Sequence, residues 1–178
     1  SKVLVQGTGG VALFAIRIAK LLGAHVTVIS SSDDKIARAR ALGADAAVNY
    51  LKTPEWAKAT REITGGSGYD HIVELGGEKT LPQSLRCIRP GGTLSMIGVL
   101  SGGAMTAQLG LVVTRHVRLQ GITVGHRDGF EAMVRAFEQH KVKPVIDRVF
   151  AFEELKEAMA YLKSGAHFGK VCIGHVPA

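Results

Sequence analysis

Cysteine is scarce in this 178-residue chain: Cys87 and Cys172 stand far apart and in no metal-ligand spacing. That count excludes a disulfide-rich scaffold, and reduced thiols in a cytoplasmic protein are the simplest reading. No metal site is read from the seven histidines either, since they are dispersed along the chain. Long hydrophobic runs are also missing. No apolar stretch approaches the length of a bilayer span, so no membrane association is expected. No signal-peptide pattern is present, because the first residues already read as a core strand. A strand with no lead-in is what a piece cut from a longer protein would show. Acidic residues are outnumbered, 15 against 22 basic, for a formal charge of +7. Nucleic-acid binding would need those cations clustered and interleaved with aromatics. They are scattered instead, over Lys35–Arg40, Arg86–Arg89, Arg115–Arg118 and Lys141–Lys143, and aromatics make up only 6%. A solvated basic surface follows, one compatible with anionic ligands.

What the chain does have is glycine in an informative place. Gly7-Thr8-Gly9-Gly10-Val11-Ala12 follows the apolar run Val3-Leu4-Val5. It precedes a helical pattern of Val11, Phe14, Ala15, Ile18, Ala19 and Leu22. Strand, glycine turn and helix is the context of a dinucleotide fingerprint. Gly7 would make the tight turn and Gly9 would let the backbone approach a pyrophosphate. Ala12 takes the helix-packing position, where alanine is allowed. The free N–H groups at the helix start would hold the diphosphate.

Strand and helix patterns then alternate to the end. Strands are expected at Lys2–Gln6, His25–Ser30, Ala46–Tyr50, Tyr69–Glu74, Thr93–Gly98 and Val117–Val124. Helices are expected at Gly10–Leu22, Asp33–Leu42, from Thr53-Pro54 to Thr64, and at Leu81–Ile88, Ala107–Thr114 and Phe130–His140. Pro54 would sit in the first turn of its helix, and Arg89-Pro90-Gly91-Gly92 would be a tight turn. Val145–Val149, a helix over Phe152–Ser164 and a strand over Lys170–Ile173 complete the chain. Such alternation gives an α/β fold, a doubly wound parallel sheet with helices on both faces. The Rossmann-type order 3-2-1-4-5-6 fits six strands and puts a ligand at the carboxyl ends of strands one and four. A single domain over residues 1–178 is expected, with residues 151–178 packing against a part that is absent.

GTGGVALFAIRIAKLLGA, KIARARALGADAAVNY, RPGGTLSMIGVLSG and HFGKVCI, in that order, resemble the medium-chain dehydrogenase/reductase superfamily. That family includes zinc-type alcohol dehydrogenases and zinc-free quinone oxidoreductases. The resemblance covers the cofactor-binding half. It implies hydride transfer between NAD(P)(H) and an alcohol/carbonyl or quinone/enone substrate. It also places catalytic residues and most zinc ligands in an N-terminal half that is not here, and so leaves open whether the parent binds zinc.

By the same resemblance, Gly7, Gly9, Gly10 and Val11 would cradle the pyrophosphate. Tyr50 would border the cofactor, and Glu74, Leu75 and Gly76 would lie on its adenosine side. Gly98, Val99 and Leu100 would form the loop that contacts the nicotinamide, and Gly125-His126-Arg127 would approach the nicotinamide or its phosphates, with Arg127 equally readable as a surface residue of the following helix. An NAD-specific site places Asp or Glu at the end of the second strand, on the ribose 2′-hydroxyl. Here that position is Ser30, followed by Ser31, Ser32 and Lys35. NADP(H) is therefore favoured over NAD(H), with Asp33 and Asp34 as the features opposing a phosphate. Ser32 also reads as a helix N-cap. A homodimer is expected through the open edge of the sixth strand.

Other classes lack their marks. A methyltransferase would need an acidic residue near Ser30. A short-chain dehydrogenase would need Tyr-x-x-x-Lys, whereas Tyr161 is followed by Lys163. No Gly-x-Ser-x-Gly elbow or complete phosphate loop is present. A dinucleotide-binding or redox-sensing module without catalysis remains as the alternative.

Overall fold

The computed structural model describes residues 1–104 and 108–175. The elements are β1 (Lys2–Gln6), α1 (Gly10–Leu21), β2 (His25–Ser30), α2 (Asp33–Ala41), β3 (Ala46–Asn49), α3 (Trp56–Ile63), β4 (Tyr69–Glu74) and α4 (Leu81–Cys87). There follow β5 (Ile88–Met96), α5 (Leu109–Thr114), β6 (Arg118–Gly121), α6 (Arg127–Gln139), β7 (Ile146–Ala151), a 3-10 turn at Phe152–Glu154, α7 (Leu155–Ser164) and β8 (Lys170–Gly174). Of the expected Ala107–Thr114 helix, Ala107 lies outside the described residues.

Six strands pair in parallel in the order β3-β2-β1-β4-β5-β6, which is the Rossmann-type arrangement. Alternate side chains point to opposite faces of a strand, and here both faces are apolar. Leu4, Ile29, Ile72 and Leu94 pack on one side with Trp56 of α3 and Leu81 and Leu85 of α4. Val3, Val5, Val26 and Val28 pack on the other with Leu13 and Ile16 of α1 and Ala39 of α2. Burying one such side chain contributes roughly 1.5–3 kcal/mol.

Three local expectations are corrected. Pro54 is not in a helical turn; α3 starts at Trp56, since the Pro54 carbonyl accepts from Gln83 Nε2 of α4 at 2.8 Å and Lys58 N–H donates to Glu55 O instead. The Arg89–Gly92 turn lies inside β5 rather than before it. Tyr69 pairs with Ile88 and His71 with Thr93, so the four residues bulge out opposite Asp70. Arg89 Nε holds that bulge by donating to Asp70 Oδ1 at 2.5 Å. The sixth strand is shorter than Val117–Val124, since its partner β5 ends at Met96 and pairing stops at Gly121.

β7 and β8 form a two-stranded parallel sheet of their own, joined through α7. This unit is fastened to the large sheet by Phe168, 2% exposed, which enters the α1-side core. A backbone bridge from Gly169 to Gly9 adds a second attachment.

Candidate functional site

The strand order runs outward in both directions from β1 and β4, so a crevice opens at their carboxyl ends. Gly7 leaves β1 with φ +76, a left-handed conformation that glycine adopts without a Cβ penalty. Its N–H donates to Ile29 O at 2.7 Å, which ties the turn to β2. Gly9 then begins α1 with no side-chain cap, and no acidic residue lies in the first turn. Gly10 and Val11 thus stand at a positive helix end.

Beside this turn is a cleft of about 480 Å³. Gly7, Tyr50, Leu75 and Leu100 all line it, so four of the residues singled out from sequence meet there. Gly98 sits against the β4 end, where a Cβ would collide with the Leu75 carbonyl oxygen. Val99 and Leu100 are exposed at the rim.

At the end of β2, Ser30 is buried, Ser31 is exposed, and Ser32 caps α2 by accepting from Lys35 N–H at 3.3 Å. The Lys35 ammonium donates to Gly165 O, at the C-terminus of α7, at 2.6 Å. Asp33 turns toward β3. Its carboxyl is held below the usual range by a hydrogen bond from Asn49 and by Lys52. Next along α2, Arg38 donates to Asp147 Oδ1 at 3.1 Å and lies over the Phe168 ring at 4.0 Å. Tyr161 donates to the other Asp147 oxygen at 2.6 Å. Burial pushes Asp147 up, but Tyr161 and Arg38 outweigh it and hold the carboxyl below its usual value.

Sequence reasoning missed the contribution of the C-terminal segment. Gly169 N–H donates to Thr8 O at 3.0 Å, inside the glycine turn. The Lys170 side chain passes over Gly10, 2.8 Å from where a Cβ would stand. His167 Nε2 lies 3.8 Å from the corresponding point on Gly9. Burial, followed by the nearby Lys35 charge, pushes the His167 pKa down. The only signal in the sequence was HFGK itself, a histidine and a lysine around a glycine at the start of the last strand. Gly125-His126-Arg127 is otherwise engaged: His126 Nδ1 accepts from Gly129 N–H in capping α6, and exposed Arg127 pairs with Glu131.

Among the described residues, no group of three or more His, Cys, Asp or Glu gathers as a metal-binding set. The described residues by themselves therefore form no zinc-binding set. No helix among the described residues is long and apolar enough to cross a membrane.

The sequence pattern of the zinc-binding dehydrogenase family matches residues 10–139, most of the chain. The chain belongs to that family, within the medium-chain dehydrogenase/reductase superfamily. The zinc-type alcohol dehydrogenase-like protein C1773.06c of Schizosaccharomyces pombe is 48% identical over 177 residues, covering 97% of this chain and 51% of that protein. A solved structure of an NAD-dependent alcohol dehydrogenase is 35% identical with a TM-score of 0.92, covering 98% of this chain and 51% of that one. The 2-octenoyl-CoA carboxylase reductase CinF, solved with NADP and 2-octenoyl-CoA, is 26% identical with a TM-score of 0.90. There the match covers 97% of this chain and 42% of the CinF chain. The chain thus spans about half the length of these relatives.

Proposed function

We propose that this chain is the cofactor-binding part of an NAD(P)(H)-dependent oxidoreductase. The parent enzyme would move hydride to or from an alcohol/carbonyl or quinone/enone substrate. One observation carries the reading: an uncapped, glycine-turned start of α1 at the crevice between β1 and β4, opening beside a cleft lined by Gly7, Tyr50, Leu75 and Leu100. The nicotinamide supplies the hydride chemistry. The chain's own residues bind and orient. Backbone N–H groups of Gly9, Gly10 and Val11, with Lys170 above them, would hold the pyrophosphate. Tyr50 and Leu75 would flank the adenosine side, and Gly98, Val99 and Leu100 the nicotinamide side. Groups for proton transfer would come from the rest of the parent, so the chain alone is expected to bind cofactor without turnover.

NADP(H) is preferred in this reading, with the added phosphate near Ser30, Ser31, Ser32 and Lys35. No carboxylate ends β2, and Asp33 is already occupied by Asn49 and Lys52. The two structural relatives differ here, one being NAD-dependent by name and the other solved with NADP. Lys35 must leave Gly165 O to reach a phosphate, which offsets part of the roughly 1.5–3 kcal/mol of a charge-assisted hydrogen bond. Calorimetry with NADPH and NADH tests this. Lys35→Ala should weaken NADPH binding about three- to tenfold and leave NADH unchanged. Equal losses for both cofactors would refute the phosphate pocket, and no binding of either would refute the cofactor reading.

The unpaired Cys87 and Cys172 support a cytoplasmic setting. β6 is an exposed edge, with Leu119 and Ile122 partly open, and we place a homodimer contact there. A concentration-independent monomer in sedimentation would refute it. The apolar outer side of the β7–α7–β8 unit, including Val149, Phe152 and Met159, would face the absent half of the parent. Hydrogen exchange in the parent should then be slower there than in this chain.

A further inference from the structure

Glu74, the last residue of β4, is fully buried and has no ion-pair partner among the described residues. Five donors surround its carboxyl group. Oε2 accepts from Gln6 Nε2 at 2.6 Å and from Ser84 Oγ at 2.5 Å. Oε1 accepts from the backbone N–H of Gly76 and of Gly77, each at 3.1 Å, and from the Thr80 hydroxyl. Gln6, the last residue of β1, completes the circuit. Its Oε1 accepts from Leu75 N–H at 3.0 Å and Gly76 N–H at 3.1 Å, and its Nε2 also donates to Ser84 Oγ at 2.9 Å.

Apolar side chains of similar volume would serve the core as well as a buried acidic group or better. The placement of this pair points elsewhere. Gln6 and Glu74 end the two strands between which the crevice opens, and all their backbone donors lie in one segment, Leu75–Gly77. A second set of bonds leads onward from that segment. Ser101 N–H and Oγ both donate to Gly76 O, at 2.7 and 2.8 Å. Lys79 N–H donates to Ser101 Oγ at 2.9 Å, and Glu78 N–H to Gly102 O at 3.1 Å. The loop after β5 is therefore held to the loop after β4, which is held by the pair.

We propose that the Gln6–Glu74 pair is a positioning device. It fixes Leu75–Gly77 and, through that segment, sets the Gly98–Ser101 loop at the nicotinamide end of the cofactor site. The proposal rests on the cofactor reading above. Neither side chain touches the reacting atoms; both act through backbone they hold in place.

The pair has a built-in symmetry that makes it testable. Glu74→Gln aims an amide N–H₂ at donors and breaks the circuit. Adding Gln6→Glu exchanges the two groups: the new amide donates to the new carboxyl, Ser84 reverses its role, and the backbone donors keep acceptors. Calorimetry on the chain would use NADH and ADP-ribose, which lacks the nicotinamide. Glu74→Gln should weaken NADH binding about tenfold, ADP-ribose clearly less, and the exchanged double variant should recover most of the loss. Hydrogen exchange without cofactor should quicken at Gly76, Gly77 and Ser101 in the single variant while Leu4 and Ile72 stay protected. Equal losses for NADH and ADP-ribose, no recovery in the double variant, or unchanged exchange at Gly76, Gly77 and Ser101 would each overturn the proposal. Failure of the unmodified chain to bind NADPH as well as these probes would instead strike the cofactor reading, with the exchange measurement still deciding the positioning role.

Discussion

The six-stranded sheet and the β7–α7–β8 unit are both built of strand–helix–strand repeats, yet they handle apolar surface in opposite ways. In the large sheet, Leu4 and Val5 of β1 are 0% exposed, because helices cover both faces and strands lie on either side. In the small unit, Ile146 and Val149 of β7 are 54% and 59% exposed. Parallel pairing by itself does not bury a strand; it needs neighbours and helical cover on both faces. The small unit holds its place through point attachments: Phe168 in the core, Gly169 on the glycine turn, Asp147 on Arg38 and Gly165 on Lys35.

A graded set of substitutions sharpens the contrast. Leu4→Ala should cost about 3 kcal/mol in urea unfolding, through lost burial and the cavity it leaves. Asp147→Ala removes bonds from Tyr161 and Arg38. Since the Arg38 side chain is about half exposed, the loss should be about 1 kcal/mol. That loss should be felt mainly as faster hydrogen exchange in β7 and β8. Val149→Ala should change stability by less than about 0.5 kcal/mol. A Val149→Ala penalty equal to that of Leu4→Ala would mean that the small unit is covered in solution, and the contrast would break.

Acid should act on both regions through one histidine each. His71 on β4, bonded to Ser95 Oγ at 2.8 Å, and His167 before β8 are both held below the ordinary value of 6.5 by burial. The unfolded chain therefore takes up protons first as pH falls. Stability from this source is full above pH 6.5 and declines below it. The loss should be smaller than that of Leu4→Ala. Urea midpoints measured from about pH 8 down to about pH 5 check the sign, and a midpoint that rises on acidification contradicts it.

Most of the fold was legible because local and global signals agreed. β1, β2 and β4 begin and end where apolar alternation and glycine stops put them, and the strand order follows from right-handed crossovers. The RPGG bulge was not legible, because an ion pair between Arg89 and Asp70 absorbs the turn into β5. The separation of β7 and β8 from the large sheet was hidden too, since their pattern is that of any strand–helix–strand unit. At the site, the glycine turn and the serines after β2 stand out in sequence by spacing. The Lys35–Gly165 contact joins residues 130 apart, and no periodicity reports such a meeting. Glu74 stood out only as part of the Glu74-Leu75-Gly76 strand end beside the cofactor; its positioning role comes from the five donors around it, which no sequence pattern reports.

The bridge between Gly9 and Gly169 also bears on how the protein is made. The first glycines leave the ribosome about 160 residues ahead of the partner that lies against them. A nascent chain can build β1, α1 and β2 early, since domains form progressively during synthesis. Its glycine turn then waits for Gly169 and Lys170 until they too have been made. Contacts so distant along the chain form late and slowly. A truncated translation product would thus fold much of the sheet while lacking the clasp on its glycine turn.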